Sequence, residues 1–372
     1  MAGNANLHAA SKAKNDEFYT QYADIQKEIN AYLDYNPDVF RGKTVLLPCD
    51  DPEWSNFTKF FAQNFELLGL KKLISTSFAP ESKKFKAGYM PTLFETESPH
   101  FDQAKTQTHG KIFTLDHDTN ASGRIDIEDL QWNYLQGDGD FRSKEICELR
   151  DEADIIVTNP PFSLFREFVA WVIEAGKQFI IIGNMNAITY KEVFPLIKKN
   201  KMWLGNGFQN GNAYFRIVNE REYADGVYDA ETGLVKFRNC CWFTNIDHGR
   251  RHQPLKLMTM TENFKHSKHK EIRGLKEYQH YDNYDAIEVP FTDAIPDDYY
   301  GIMAVPTSFL DKYCPEQFEL LGITQRNDDP YKTKKYTVAE YKNANDLNAR
   351  GVIMVDGLPK PMYARILIRK KQ

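Results

Sequence analysis

One short segment has residue types that could do chemistry: Asn159-Pro160-Pro161-Phe162, which follows a predicted strand at residues 154–158. The side-chain oxygen of Asn159 and the backbone carbonyl of Pro160 can accept both hydrogens of an aromatic amine. Such an amine reacts poorly because its lone pair is delocalised, and two acceptors favour a more tetrahedral nitrogen. Two prolines stiffen the loop, and Phe162 offers a flat face to an extruded base. The segment therefore predicts a site that acts on the amino group of a planar base.

These four residues also have a purely structural alternative. Asparagine can cap a helix and proline can begin one, so Asn-Pro-Pro is a plausible strand-to-helix turn. The preceding apolar strand and the aromatic Phe162 favour the chemical interpretation, because ligands of open α/β sheets bind at the carboxyl ends of the strands.

Two segments near the N-terminus have residue types that suit a bound cofactor. Residues 18–20 are Phe-Tyr-Thr, an aromatic pair followed by a hydroxyl. Residues 48–57 link a predicted strand to a predicted helix, where a nucleoside cofactor usually meets a doubly wound sheet. Asp50 in this turn could accept hydrogen bonds from an ammonium group or a ribose. The local alternatives are Thr20 as a helix N-cap and an acidic turn with Ser55 as an N-cap, which is the better account of residues 48–57 on spacing alone.

A fourth segment, Gly-Asp-Gly-Asp-Phe at residues 137–141, precedes the strand that leads to Asn159. The Asp140 carboxylate could accept a hydrogen bond from the amino group of a cofactor's adenine, while Phe141 packs on its ring. A flexible acidic loop explains the same residues equally well.

The elements that would position these segments alternate between strands and helices. Apolar runs predict strands at residues 43–47, 72–78, 112–115, 155–158, 179–182 and 240–244, and helical spacing predicts helices at residues 25–33, 56–68 and 164–175. This alternation implies an α/β fold with a parallel sheet that is buried on both faces. A closing hairpin is predicted from residues 352–355 and 364–368. We expect a catalytic domain at residues 1–248 and a less regular target-recognition region at residues 249–372.

Composition restricts the class of protein. The chain has 372 residues, which suits one large or two medium domains. No apolar run is long enough to span a membrane and the N-terminus lacks the apolar stretch of a signal peptide, so we expect a cytoplasmic protein without a membrane partner. Five cysteines without a C-x-x-C pair indicate reduced thiols rather than disulfides or a zinc site.

The net charge of −5 argues mildly against a nucleic acid partner, but basic residues cluster locally. The segment at residues 248–270 holds one acidic residue, Glu262. Its basic residues are Arg250, Arg251, Lys256, Lys265, Lys268 and Lys270. A run of this kind is most often a solvated face, yet beside a site that acts on a base we favour contact with phosphates.

Metal chemistry finds no support in the sequence. The acidic residues from Asp116 begin like a calcium loop, but the glycine position is then Ala121 and the twelfth position is Ile127. There is no P-loop and no H-E-x-x-H motif. We therefore expect no metal ion.

Taken together, the four segments resemble the EcoRI-type adenine-specific DNA methyltransferases of restriction–modification systems. The matching strings are KNDEFYTQYADI at residues 14–25, CDDPEWSNFTKFFAQNF at 49–65, LGLKKLI at 68–74 and TNPPFS at 158–163. The resemblance covers the first half of the chain well and the second half loosely. It implies a Rossmann-like methyltransferase sheet, S-adenosylmethionine as methyl donor with S-adenosylhomocysteine as product, and double-stranded DNA as partner.

The resemblance also assigns roles to residues. It implies that the cofactor is held by Phe18, Tyr19, Thr20, Pro48, Cys49, Asp50, Ser55, Asn56 and Phe57. It implies that the target adenine, flipped out of the duplex, is held by Asn159, Pro160, Pro161 and Phe162. The turn after the first strand lacks the glycines of most methyltransferases, as it does in the EcoRI-type branch.

Several alternatives stay open on the sequence. A methyltransferase of the same fold could act on RNA adenine, a protein glutamine amide or the amino group of cytosine, and a non-catalytic DNA-binding module is the alternative from a different class. The sequence does not indicate a recognition site or a partner restriction endonuclease.

Overall fold

The computed structural model describes residues 19–50, 55–79, 101–208, 212–216, 227–229, 231–325 and 329–372, with the backbone alone at positions 19 and 216. The chain divides into two compact units. The first runs to Asn186 and resumes at Met202–His248, and the second comprises Ala187–Lys201 and Gly249–Gln372. Residues 187–201, which the predicted catalytic domain included, thus group with the second unit. The role of the second unit in target recognition remains a prediction.

Short strands and short helices make up both units. In chain order the strands are β1 (Tyr19–Thr20), β2 (Thr44–Leu47), β3 (Lys72–Thr76), β4 (Lys111–Leu115), β5 (Gln131–Tyr134), β6 (Ile155–Thr158), β7 (Gln178–Asn184), β8 (Trp203–Leu204), β9 (Asn212–Arg216), β10 (Tyr228–Asp229), β11 (Leu234–Arg238), β12 (Cys240–Thr244), β13 (Ala286–Glu288), β14 (Ile302–Pro306), β15 (Phe318–Ile323), β16 (Val352–Val355), β17 (Leu358–Pro361) and β18 (Arg365–Lys370). The α-helices are α1 (Tyr22–Tyr35), α2 (Asn56–Gln63), α3 (Phe65–Leu68), α4 (Lys144–Glu152), α5 (Phe165–Glu174), α6 (Phe194–Lys198), α7 (Met260–His266) and α8 (Ala344–Ala349). Among the described residues, none of these helices is long and apolar enough to cross a membrane.

The main sheet of the first unit has eight strands in the order β5-β4-β3-β2-β6-β7-β12-β8. The four central strands β3, β2, β6 and β7 are parallel, as the alternation of strands and helices predicted. The flanking strands pair antiparallel, including β4 against β3, which the prediction of a parallel sheet did not anticipate. Every residue of β2 and of β6 is buried, which agrees with their continuous apolar sequences.

The central strands place a topological switch point between β2 and β6. Strand β2 pairs with β3 on one side and with β6 on the other. After β2 the chain runs outward through β3, β4 and β5, and then returns to β6 on the opposite side of β2. Ligands of open α/β sheets bind in the crevice that such a reversal leaves outside the carboxyl ends of the strands. A ligand site is therefore expected among the residues that follow β2 and β6.

A smaller sheet of the first unit has the order β1-β9-β11-β10. Its pairs are antiparallel, and Thr20 of β1 lies opposite Phe215 of β9. One face carries Phe215, Val235 and Phe237, which are buried in the same apolar core as residues of α1 and β2. The residues of β1 are thus tied to the main core through this small sheet.

The second unit contains a sheet with the order β13-β14-β18-β15 and a separate hairpin of β16 and β17. The predicted closing hairpin is wrong: β16 pairs with β17, whereas β18 lies between β14 and β15. The physical reason is the Asp356-Gly357 turn, because Asp-Gly favours a two-residue hairpin and reverses the chain directly after β16.

Candidate active site

Asp50 connects the ends of three strands at the switch point. Asp50 is 6% exposed, and its carboxylate accepts hydrogen bonds from the hydroxyl of Ser55 at 2.9 Å and from that of Thr158 at 2.6 Å. Its backbone carbonyl accepts a third hydrogen bond, from the hydroxyl of Ser75 at 2.9 Å. Because these residues follow β2, end β6 and lie in β3, the hydrogen bonds hold the carboxyl ends of the three strands together.

The residues at the start of α2 include a helix cap and a contact with β1. Ser55 is the N-cap of α2, since its hydroxyl oxygen accepts a hydrogen bond from the amide of Phe57 at 3.0 Å. The side-chain amide of Asn56 donates to the backbone carbonyl of Thr20 at 2.7 Å. The Ser55 cap is confirmed and is compatible with a cofactor site, whereas the Thr20 cap is wrong, because Gln21 occupies the N-cap position of α1.

The remaining predicted cofactor residues differ in exposure. Pro48 is buried and its carbonyl accepts a hydrogen bond from the hydroxyl of Thr76 at 3.2 Å, while Cys49 is half-buried. Phe57 is 1% exposed and packs edge-on against Trp242, with ring centroids 5.9 Å apart. Phe18 lies outside the described residues, as does the side chain at position 19. The cofactor roles of these residues remain predictions.

The acidic loop at residues 137–141 lies beside the carboxyl end of β3. Gly139 has φ +82°, and a Cβ atom there would be 2.1 Å from the carbonyl oxygen of Ser77. The amide of Ala79 donates to the carbonyl of Asp138 at 2.7 Å. The loop therefore lies at the same edge of the sheet as the turn after β2.

Within this loop, Asp140 and Phe141 have contacts of different kinds. The guanidinium of Arg142 binds both oxygens of Asp140, at 2.9 and 2.6 Å, and these hydrogen bonds lower the pKa of Asp140 against its partial burial. Phe141 is 4% exposed and packs edge-on against Phe168 and Trp171. Phe141 is thus part of the core, and its contact with a cofactor remains a prediction.

Asn159 follows β6 directly, and no helix begins at it. The first turn is a short 3-10 helix at Phe162–Leu164 with Pro161 at its N-cap, and α5 starts only afterwards. The helix-cap alternative for Asn159 is therefore wrong. Asn159 is half-buried with its Oδ1 atom shielded from solvent, and Pro160 is buried.

Phe162 is half-buried against an aromatic group from the small sheet. Its ring centroid is 6.5 Å from that of Phe215 and 6.4 Å from that of Phe237, both at an interplanar angle of 76°. Neither ring stacks parallel on Phe162. The small sheet that contains Thr20 thus also supports the ring predicted to stack on the base.

Sequence reasoning missed four residues of this arrangement: Thr158, Ser75, Phe215 and Phe237. A signal existed for the first two, because each is a hydroxyl that follows two or three apolar residues of a predicted buried strand, and buried polar groups require hydrogen-bond partners. For the two phenylalanines no local signal existed, since their contact with Phe162 depends on the pairing of distant strands.

Comparison with known proteins identifies the family of the chain. The family model described as "Adenine-specific methyltransferase EcoRI" matches residues 6–371. The chain belongs to this family. It is 39% identical over 378 residues to the type II methyltransferase M.EcoRI of Escherichia coli, covering 100% of this chain and 99% of that protein. It is also 33% identical over 374 residues to M.MpnI of Mycoplasma pneumoniae, with 98% of each chain covered. No solved structure gives a significant match.

Family membership confirms the predicted fold class of the catalytic sheet and the enzyme class, an adenine-specific methyltransferase. A third relative, M.MgeORF184P of Mycoplasma genitalium, is 32% identical over 376 residues and is likewise named a type II methyltransferase. The matches extend over the second unit, to which the sequence strings compared above gave only loose support.

Several basic side chains at residues 248–270 of this methyltransferase are paired or buried, which the sequence of the segment did not indicate. Arg250 forms an ion pair with Asp311, and Lys268 pairs with Asp293 at 2.7 Å. Arg251 is only 7% exposed. These acidic partners come from distant parts of the chain, so a count of charges within residues 248–270 could not include them.

Lys256 and Lys265 are exposed, the latter in the last turn of α7. They are the residues of the predicted DNA-binding set that are best placed to meet a phosphate. The DNA contact of the whole set, Arg250, Arg251, Lys256, Lys265 and Lys268, remains a prediction.

The segment at residues 116–129, which follows β4, folds around Asp118 rather than Asp116. The carboxylate of Asp118 accepts hydrogen bonds from the amides of Asn120, Ser122 and Gly123. A calcium loop requires glycine at its sixth position and an acidic residue at its twelfth. Counted from Asp118, these positions are Gly123, with φ +83°, and Asp129. Asp116 was therefore the wrong first position for the comparison with a calcium loop. Within the described ranges no group of three or more His, Cys, Asp or Glu residues could hold a metal ion. A reaction without metal remains a prediction.

Proposed function

We propose that this methyltransferase transfers a methyl group from S-adenosylmethionine to the exocyclic N6 amine of an adenine that is flipped out of a specific sequence in duplex DNA. The supporting observation is the position of Asn159 and Pro160, which follow β6 at the switch point of a sheet in a family of adenine-specific methyltransferases.

The residues at this edge of the sheet fit the proposed methyl donor. S-Adenosylmethionine carries an ammonium group, ribose hydroxyls and an adenine amino group, all of which donate hydrogen bonds. Asp50 and Asp140 are the carboxylate acceptors of the turn after β2 and of the acidic loop, and both loops lie at the carboxyl edge of the strands. The bound donor supplies a methyl group on a positively charged sulfur.

The chain's own residues act on the adenine. The Oδ1 atom of Asn159 and the carbonyl of Pro160 accept the two amino hydrogens, which directs the nitrogen lone pair out of the ring plane. Phe162, which Phe215 and Phe237 support edge-on, provides a ring face for the base. After transfer the nitrogen carries one proton too many, and that proton leaves to water without a carboxylate base.

The proposal is tested with Asn159→Ala. Loss of one preorganised hydrogen-bonding group at a reacting atom should lower the rate of methyl transfer by about 100-fold or more, while calorimetry finds little change in the affinity for S-adenosylmethionine. A matched control is Asn343→Ala, because Asn343 is exposed in the second unit and its side chain does not cap α8. Unchanged turnover of Asn159→Ala in a tritiated-methyl assay would refute the assignment.

Identification of the product separates the alternative substrates. Duplex DNA, RNA and a protein extract are offered in competition, and the labelled DNA is digested to nucleosides. N6-Methyladenine in DNA is the expected product. Methylated cytosine, RNA or glutamine would replace the proposed substrate, and failure to bind S-adenosylmethionine would support a non-catalytic role.

A further inference from the structure

We propose that Thr158 is a positioning residue for methyl transfer, because its hydrogen bond to Asp50 fixes the distance between the cofactor turn and the loop that holds the adenine. The inference rests on the proposed function of Asn159. Thr158 is fully buried, ends β6 and immediately precedes Asn159. Its hydroxyl donates to Asp50 Oδ2 at 2.6 Å.

The backbone alone does not hold β2 and β6 together at this point. Their ladder consists of the pairs Val45 with Ile155 and Leu46 with Ile156, so it ends before Thr158. On its other side, β6 stays paired with β7 through Thr158 itself. Beyond Leu46 and Ile156 the backbone ladder between the two strands has ended, and the Thr158–Asp50 hydrogen bond connects them there.

The hydrogen bond is of a strong type. A hydroxyl that donates to a carboxylate at this distance is charge-assisted and about twice as strong as a neutral pair. The same carboxylate is held by Ser55, and the carbonyl of Asp50 by Ser75, whose hydroxyl is also 2.8 Å from that of Thr58. Asp50 is thus fixed relative to α2 and β3, and Thr158 extends that rigid group to the loop of Asn159.

Methyl transfer is sensitive to this distance. The methyl carbon must lie in line with the amine nitrogen, and a displacement of about 1 Å at a reacting centre can cost about 100-fold in rate. Through this hydrogen bond Thr158 sets the position of Asn159 relative to the cofactor turn, and Thr158 itself touches neither reactant. Loss of the hydroxyl should therefore lower the maximal rate while it changes the affinities for S-adenosylmethionine and DNA much less.

The test compares Thr158→Val, which keeps the shape but removes the hydroxyl, with Thr158→Ser, which keeps the hydroxyl. Single-turnover rates are measured at saturating donor and DNA, and both affinities are measured by calorimetry. Thr158→Val should lose about 100-fold in rate, and Thr158→Ser should retain most of the rate. If valine prevents folding, Thr158→Ala serves the same comparison.

Thr244→Val is the matched control. Thr244 is also fully buried, and its hydroxyl donates to the carbonyl of Phe179 at 2.7 Å, at the opposite edge of the same sheet. It should lose stability, as Thr158→Val does, but keep its rate. A full rate in Thr158→Val, or serine and valine variants that are equally slow, would overturn the inference. These outcomes are ratios of rates, so they are independent of which base the product analysis identifies.

Discussion

Gly139→Ala tests whether the acidic loop depends on its close approach to β3. Because Gly139 has φ +82°, an alanine at this position would have to adopt a left-handed backbone conformation, which costs about 1–2 kcal/mol of stability. The added Cβ would lie 2.1 Å from the carbonyl oxygen of Ser77, a clash that only a movement of the backbone can relieve. Overpacking of this kind costs about 1–3 kcal/mol. We therefore expect a loss of about 2–5 kcal/mol in the free energy of unfolding.

Gly123→Ala separates the two contributions. Gly123 has nearly the same backbone angle, φ +83°, but nothing lies within 4 Å of a Cβ built there. It should lose only the conformational part, about 1–2 kcal/mol. Guanidinium unfolding measures both variants, and calorimetry measures their affinity for S-adenosylmethionine, which should fall in Gly139→Ala alone, because Asp140 moves with the loop. Equal losses of stability in the two variants would refute the reasoning.

Two further predictions concern the partners of the enzyme. The double variant Lys256→Ala, Lys265→Ala should reduce the slope of log DNA affinity against log salt concentration by about one for every phosphate that the two lysines bind. Lys268→Ala should change the slope less, because the ammonium of Lys268 already pairs with Asp293. An unchanged slope in the double variant would exclude both lysines as phosphate contacts. Dialysis against EDTA should leave methyl transfer unchanged, because the methyl donor is already activated by its positive sulfur; a loss of activity that calcium restores would instead implicate the loop from Asp118 to Asp129.

The parts of the fold that could be predicted are those with a strong local cause. The strand at Ile155–Thr158 is predicted at its observed bounds because its apolar run is continuous and buried on both faces. The predicted helix at residues 56–68 is instead two helices, because the helical conformation is interrupted at Asn64. The side chain of Asn64 donates a hydrogen bond to the carbonyl of Phe60 at 2.8 Å. The direction of β4 and the partner of β18 have no local signal, because they depend on pairing between distant segments.

The same distinction applies to the site. The positions of Asn159 and Asp50 could be predicted, because each follows an apolar run that forms a buried strand. Their roles in the reaction remain predictions. The hydrogen bond from Thr158 to Asp50 is not, since it joins residues that are separated by 108 positions. The salt bridges of Arg250 and Lys268 were missed for the same reason, because their acidic partners lie far away in the chain.

These contacts explain why position 50 of the turn after β2 is not a glycine. In most methyltransferases, glycines let the backbone of this turn approach the cofactor. Here the turn has a side chain, Asp50, that points inward and accepts hydrogen bonds from α2 and β6. A glycine at position 50 would remove the acceptor that holds Thr158, and with it the connection across the switch point. The strings CDDP and TNPPF therefore depend on each other physically: the carboxylate of the first is the acceptor for the hydroxyl of the second.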